Sequence, residues 1–165
     1  MYLLDSNVFI EAKNRYYAFD ICPGFWDWMD HIVQQRKATS IVMVYNELVK
    51  LDDELAKWVK DRQHNGLFLD VSDTATQQAF SEVIASIQQH PYSDPAKATF
   101  AGNADSWLIA KAISLQATIV THEMPSAQSK KRVLIPNVCQ EFNLAYMNTF
   151  DLLRECAASF VLNGA

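Results

Sequence analysis

Cysteine is scarce in this chain of 165 residues. Cys22, Cys139 and Cys156 stand far apart, with no C-x-x-C pair. That argues against a disulfide framework or a zinc–thiolate site, and for free thiols in a reducing cytoplasm. Glycine is scarcer than in most domains, and no Gly-rich phosphate loop, G-x-S-x-G or H-E-x-x-H motif occurs. Long apolar runs are missing too. The longest, Ile41 to Tyr45, is far too short to cross a bilayer, so no membrane association is expected. The N-terminus has no basic segment and carries Asp5 early, so it does not read as a signal peptide. Positive charge is in deficit, with a formal net charge of −5. This excludes nucleic-acid binding by a general positive field; any such contact needs a local basic patch or bound cations. Internal repeats, linkers and low-complexity segments are absent, so residues 1–165 read as one domain, large enough to bury a real core.

What is present begins with the first ten residues. Tyr2-Leu3-Leu4 reads as a short strand buried on both faces, and it stops at a carboxylate. Asp5-Ser6-Asn7 is turn and N-cap chemistry, and Val8-Phe9-Ile10 resumes apolar character as a helix would. Next come a helical stripe of Phe25, Trp28, Met29, Ile32 and Val33, a second strand at Ile41-Val42-Met43, and a long helix from about Val44 to about Arg62. Leu67 to Val71 forms a third strand, and Ser72 or Asp73 caps a helix reaching about Gln89. His90 to Gly102, with Pro91, Pro95 and Gly102, reads mainly as a connection holding a helical turn around Ala96 to Phe100. Asn103 opens a helix to about Leu115. Ala117 to Thr121 is a fourth strand, Pro125 to Arg132 a polar basic loop, Leu144 to Met147 a fifth strand, and Thr149 to Arg154 a last helix. Strands alternating with helices predict an α/β fold: three layers, with a central parallel sheet of about five strands.

Four carboxylates stand out against this frame. Asp5 ends the first strand and Glu123 follows the fourth, and active sites of parallel α/β sheets lie beyond the carboxyl ends of the strands. Glu47 lies between Val44 and Leu51 on its helix, and Asp105 shares a face with Leu108, Ile109 and Ala112. A buried unpaired carboxylate is costly and calls for a cation or a raised pKa. Taken singly, each has a plain alternative: Asp5 as a helix cap, Glu47 paired with Lys50, Asp105 paired with Lys111. Taken together they suit a hard divalent cation such as Mg²⁺ or Mn²⁺. The histidines have no ligand spacing, and the aromatic residues Phe25, Trp26 and Trp28 read as core.

At Leu3-Leu4-Asp5-Ser6-Asn7, Tyr45-Asn46-Glu47-Leu48, Asn103 to Ala110 and Ile119-Val120-Thr121-His122-Glu123 the chain resembles the PIN domain family, the metal-dependent ribonucleases that include VapC-type toxins. The resemblance spans essentially the whole chain and is similar to an uncharacterised PIN-like branch. Asp5, Glu47 and Asp105 match the family's principal acidic positions, and Thr121 its hydroxyl residue. Glu123 falls where Asp is more common, and His122 where Arg is. The resemblance implies a cytoplasmic endoribonuclease in which Asp5, Glu47, Asp105 and Glu123 are catalytic and hold one or two Mg²⁺ or Mn²⁺ ions. Ser6, Asn7 and Thr121 would orient ligands or water, and Lys13, Arg15, Lys97, Lys130, Lys131 and Arg132 would contact phosphate. It further implies RNA as substrate and an antitoxin protein as partner, and leaves room for a homodimer. Two alternatives stay open: a catalytically inactive binding module of the same fold, and phosphoryl transfer with Asp5 as nucleophile. The second normally needs an Asp two positions on, where this chain has Asn7.

Overall fold

A computed structural model describes residues 1–161 of the chain. The expected domain boundary at 165 therefore falls outside the described residues. Five strands, β1 (Tyr2–Leu4), β2 (Ala38–Ile41), β3 (Phe68–Leu69), β4 (Thr118–Val120) and β5 (Tyr146–Met147), form one sheet in the order β3-β2-β1-β4-β5. Every neighbouring pair is parallel. Successive residues of a strand face opposite sides. Ala38 to Ile41 are all buried, and Leu3 and Leu4 are both inaccessible, so helices cover both faces of the sheet as expected.

The chain lays down β1, moves outward through β2 and β3, then returns to place β4 on the other side of β1. The order of strands thus reverses between β1 and β4, and a crevice opens at their carboxyl ends. Leu4 pairs in register with Val120, and the Asp5 N–H donates to the Val120 carbonyl at 3.0 Å. Asp5 and Thr121 therefore leave the sheet side by side. From β2, the buried Ser40 hydroxyl donates to the Leu4 carbonyl at 2.6 Å and pins the same end of β1 from the other flank.

Helices α1 (Ser6–Glu11), α2 (Pro23–Gln34), α5 (Thr74–Gln89), α7 (Ala104–Leu115) and α9 (Thr149–Glu155) lie close to where the sequence puts them. Asp73 and Asn148 cap α5 and α9 by accepting main-chain N–H groups at the third position beyond each cap. Elsewhere the structure corrects the expectations. The strand at Ile41-Val42-Met43 is instead Ala38–Ile41, and Val42 already begins a helix, α3 (Val42–Leu48). The long helix to Arg62 is broken. After α3 comes a 3₁₀ turn (Val49–Leu51), Asp52 takes the left-handed conformation (φ 51°), and Asp53 caps a fresh helix, α4 (Glu54–Lys60), through its side chain. Leu51, counted in the apolar stripe, is consequently exposed.

The segment from His90 to Gly102 is largely helical, as α6 (Asp94–Gly102). Ser93 caps it, and Pro95 falls in its first turn, where a missing N–H costs nothing. Proline at the start likewise marks α8 (Ile135–Glu141), which the sequence reading left without an element. Between α1 and α2, Ala12–Tyr16 forms a π-helical turn that was not expected either. Lys111 does not pair with Asp105. Its ammonium, almost buried on α7, donates to Asp73 at the start of α5 at 2.6 Å. No helix among the described residues is long and apolar enough to cross a membrane.

Candidate active site

Asp5 occupies the cap position before α1, yet its side chain makes no capping hydrogen bond. The plain reading of this residue as a helix cap therefore fails. The carboxylate is 3% exposed and turns toward the β1–β4 crevice. There it accepts from the Thr121 hydroxyl at 2.8 Å and, more distantly, from the Ser6 hydroxyl at 3.4 Å. Thr121 is itself held: the Asn7 amide donates to its hydroxyl oxygen at 3.1 Å, and so does the Glu123 N–H at 3.1 Å. The Asn7 side-chain oxygen in turn accepts from the His122 N–H at 3.0 Å. Ser6, Asn7 and Thr121 thus form a polar bracket that fixes Asp5 against the end of β4.

Burial with no cation beside it has an electrostatic consequence. The Asp5 carboxyl is pushed up to about 7, first by desolvation and then by the negative charges of Asp105 and Glu123, against the opposing hydrogen bond from Thr121. Asp105, in the first turn of α7, is pushed up to about 6 by desolvation and by Glu123 and Glu47; Arg132 pulls weakly the other way. Asp5 thus feels Asp105 and Glu123, and Asp105 feels Glu123 and Glu47. Glu47, on α3, accepts from the Ala104 N–H at the start of α7 at 3.3 Å and so links the two helices that carry Glu47 and Asp105. Among the described residues Asp5, Glu47 and Asp105 form no ion pair, so Lys50 is not the partner of Glu47.

Glu123 differs from the other three. Its largely buried side chain is clamped by Arg132 on one oxygen and by the Ile135 N–H at 2.8 Å on the other. It ties the loop after β4 to the start of α8. Cys139, buried on α8, is pushed up to about 12 by desolvation and by the negative charge of Glu123.

The donor chemistry suits a hard divalent cation: carboxylate oxygens, partly desolvated, mutually repelling and mostly without a counter-charge. The spacing is looser than a finished metal site. Among the described residues no three His, Cys, Asp or Glu side chains are grouped closely enough to hold an ion.

The basic candidates divide. Arg132 and Lys131 line a cavity of about 280 Å³ together with Asp105, Asn103, Thr99 and Phe100. Arg132 also borders a second groove, of about 470 Å³, with Asn7, Glu11, Arg15, Tyr16 and His122. Lys13 is drawn elsewhere and pairs with Asp53 at 2.7 Å. Lys97 donates to the Gln88 carbonyl at 2.8 Å. The Lys130 carbonyl accepts from Ser93, and Lys130 is exposed and lines neither cavity. Several residues of the two cavities were not foreseen, Glu11, Tyr16 and Asn103 among them. Glu11 and Tyr16 lie one turn and more beyond Asn7, on a stretch whose π-helical course the sequence does not signal. Asn103, one residue before α7, reads in sequence only as a helix opener.

Residues 2–160 match the model of a family described as Domain of unknown function (DUF4411). No curated protein matches the chain by sequence. Among solved structures, a chain of VapBC2 from Rickettsia felis, crystallised bound to a DNA fragment from their promoter, superposes with a TM-score of 0.54 at 16% identity, covering 89% of this chain and 97% of that one. FitAcB from Neisseria gonorrhoeae gives 0.55 at 17% identity, covering 91% and 99%. At such identities the likeness is one of fold, and the fold is PIN-like.

Proposed function

The chain belongs to the DUF4411 family, and from that premise, with its PIN-like fold, we propose that it is a divalent-metal-dependent endoribonuclease acting as the toxin of a toxin–antitoxin pair. The observation that carries this reading is Asp5: a nearly inaccessible carboxylate at the switch point of a parallel sheet, paired with no lysine or arginine among the described residues and coupled electrostatically to Asp105. A structural carboxylate in that position would be paired with a lysine, as Asp73 is with Lys111.

Asp5 and Asp105, with Glu47, are the residues that would hold Mg²⁺ or Mn²⁺. Such a cation, when bound, would supply Lewis-acid chemistry toward water and phosphate oxygens. Thr121, Ser6 and Asn7 hold the Asp5 carboxylate in one orientation, so that little is lost to rearrangement when phosphate arrives. Arg132 and Lys131 offer donors to the phosphate oxygens from the loop side. The experiment that tests the reading is cleavage of a mixed RNA pool with Mn²⁺ by the wild type and by Asp5→Asn.

Glu123 contributes less than the others, because Arg132 and the Ile135 N–H already occupy its oxygens. Glu123→Gln is expected to keep activity within about 10- to 100-fold of wild type, the range of indirect supports of a metal site. A loss as complete as that of Asp5→Asn would place Glu123 among the direct ligands.

The toxin role implies a protein partner that covers the crevice. Expression of the wild type in its own host, without any neighbouring gene, is expected to arrest growth, and Asp5→Asn is expected to be harmless. Unimpaired growth with the active protein would remove the toxin role while leaving the nuclease intact. Phosphoryl transfer through Asp5 receives no support from the site: the hydroxyls of Thr121 and Ser6 engage its oxygens, and residue 7 is Asn.

A further inference from the structure

The groove on the α1 side of the crevice has a composition that acid-site chemistry does not require. It is lined by Asn7, Glu11, Arg15, Tyr16, His122, Glu123 and Arg132, with one oxygen of Glu123 held by Arg132 and the other by the Ile135 N–H. Tyr16 is 49% exposed, although it is a large aromatic at the end of a well-formed turn. It is not loosely placed. Its ring stands edge-on to Phe150 with centroids 5.2 Å apart, and Phe150 in turn meets the His122 ring at 6.2 Å. His122 is fixed by Thr149, whose hydroxyl lies 2.8 Å from its Nε2. The π-helical turn and α9 thus hold an aromatic face upright beside the crevice.

The two arginines complete the groove. Arg15 spends its Nε on Glu11 at 2.8 Å, and Arg132 spends one Nη on Glu123. Their side chains are still 66% and 67% exposed. A guanidinium has five N–H donors, so each keeps a free edge toward the groove. A rigid aromatic face flanked by two half-used guanidinium groups, next to a phosphate-cleaving centre, matches the recognition of an unpaired nucleotide: stacking for the base, bidentate donors for its phosphate.

We propose that this groove is a nucleotide subsite next to the scissile phosphate, in which Tyr16 stacks the base and Arg15 and Arg132 hold its phosphate. The proposal rests on the nuclease reading and extends it to a binding residue outside the acidic cluster. Because the ring needs a base free of its complement, the subsite selects single-stranded segments over duplex.

Binding of a fluorescein-labelled single-stranded oligoribonucleotide of mixed sequence tests it. Fluorescence anisotropy would be followed with Ca²⁺ in place of Mn²⁺. An abasic strand of equal length and charge serves as the comparison. Tyr16→Ala is expected to weaken binding of the base-bearing strand by roughly 5- to 150-fold, the equivalent of about 1–3 kcal/mol per stacked base. The abasic strand should bind wild type and Tyr16→Ala alike, and Tyr16→Phe should keep wild-type affinity for both. Arg15→Gln should weaken both strands and flatten the salt dependence. Circular dichroism and melting of each variant check that the fold is kept. Equal binding of the base-bearing strand by wild type and Tyr16→Ala, or an equal loss on both strands, overturns the proposal. So does tighter binding of a duplex of the same sequence. If RNA is cleaved with Mn²⁺ but affinity ignores Tyr16, the subsite alone is wrong; if RNA is neither bound nor cleaved, the nuclease reading falls with it.

Discussion

Asp105→Asn is expected to lower Mn²⁺-dependent RNA cleavage by at least about 100-fold, and Asp5→Asn by as much, with substrate binding far less affected. Residues that only support a metal ligand typically contribute 10- to 100-fold, so the ligands themselves should lie above that range. The expectation follows from how the two side chains are situated. Asp5 has its two oxygens engaged by the Thr121 and Ser6 hydroxyls, and Asp105 lies in the first turn of α7 with no ion pair among the described residues. Replacing one carboxylate oxygen by an amide keeps shape and volume and removes the charge that a divalent cation needs. Single-turnover cleavage of a defined oligoribonucleotide would separate the chemical step from binding. Undiminished cleavage by purified Asp105→Asn, with co-purifying nucleases excluded by an independent preparation, would show that the acidic cluster is not the catalytic centre. A wild type that cleaves nothing at high protein concentration would favour a binding module of the same fold.

The second large effect is on stability, and it needs no substrate. In chelator at pH 8, Asp5→Asn is expected to melt several degrees above wild type, with Asp105→Asn changing in the same direction. In the folded protein the Asp5 carboxyl sits at about 7, against an ordinary 3.8. A carboxyl whose folded pKa is raised binds its proton more tightly when folded, so stability is highest below pH 4 and falls as pH climbs through 4 to 7. Each such group contributes a slope of about 1.4 kcal/mol per pH unit across its window. For Asp5 alone the whole span is roughly 4 kcal/mol, of which relaxation and coupling to Asp105 remove a part. If about 2 kcal/mol is recovered by the neutral amide, the gain is about 4–8 °C for a chain of this size.

Two comparisons make the melting experiment decisive. At pH 5 the Asp5 carboxyl is already mostly protonated in the fold, so the advantage of Asp5→Asn should shrink. With Mn²⁺ at saturating concentration the order should reverse, because a ligand that binds only the folded form raises the wild-type melting temperature by mass action and has little to hold in the variant. If both variants melted below wild type in chelator at pH 8, and Mn²⁺ moved all three equally, the carboxylates would be structural.

The centre of the fold was the most legible part of the chain. A three-residue apolar run stopping at Asp5, and a second run stopping just before Thr121, are strands with polar residues at their carboxyl ends. In a parallel sheet those ends lie along one edge, and the strand order seen in the structure, with β4 beside β1, brings Asp5 and Thr121 together. Glu47 and Asp105 could be placed because a carboxylate on an apolar helical stripe is conspicuous. Boundaries suffered where two signals competed. Val42 and Met43 look like strand by β-branching and hydrophobicity, yet β2 ends at Ile41, level with the end of β3 at Leu69, and Val42 starts a helix instead. The break at Asp52 and Asp53 was hidden by a continuous apolar stripe on either side, and only the pair of aspartates hinted at it. In α6 the proline read as part of a connection sits in a first turn, where it starts a helix, and Pro136 does the same in α8. The clamp of Glu123 by Arg132 was not legible. It closes an irregular loop, where no periodicity relates one position to another. The same holds for Tyr16, whose position depends on a wider turn than the α-helix it follows.

The path of the chain through the sheet has a consequence for synthesis. Asp5 precedes the hydroxyl that holds it by 116 residues, and that hydroxyl stands just past the end of β4, the strand inserted directly beside β1. At roughly 5–20 residues per second, about 6–23 s separate the two. Until β4 arrives, β1 lacks a neighbour on one edge, Asp105 has no opposite wall, and the nascent chain cannot assemble the acidic crevice.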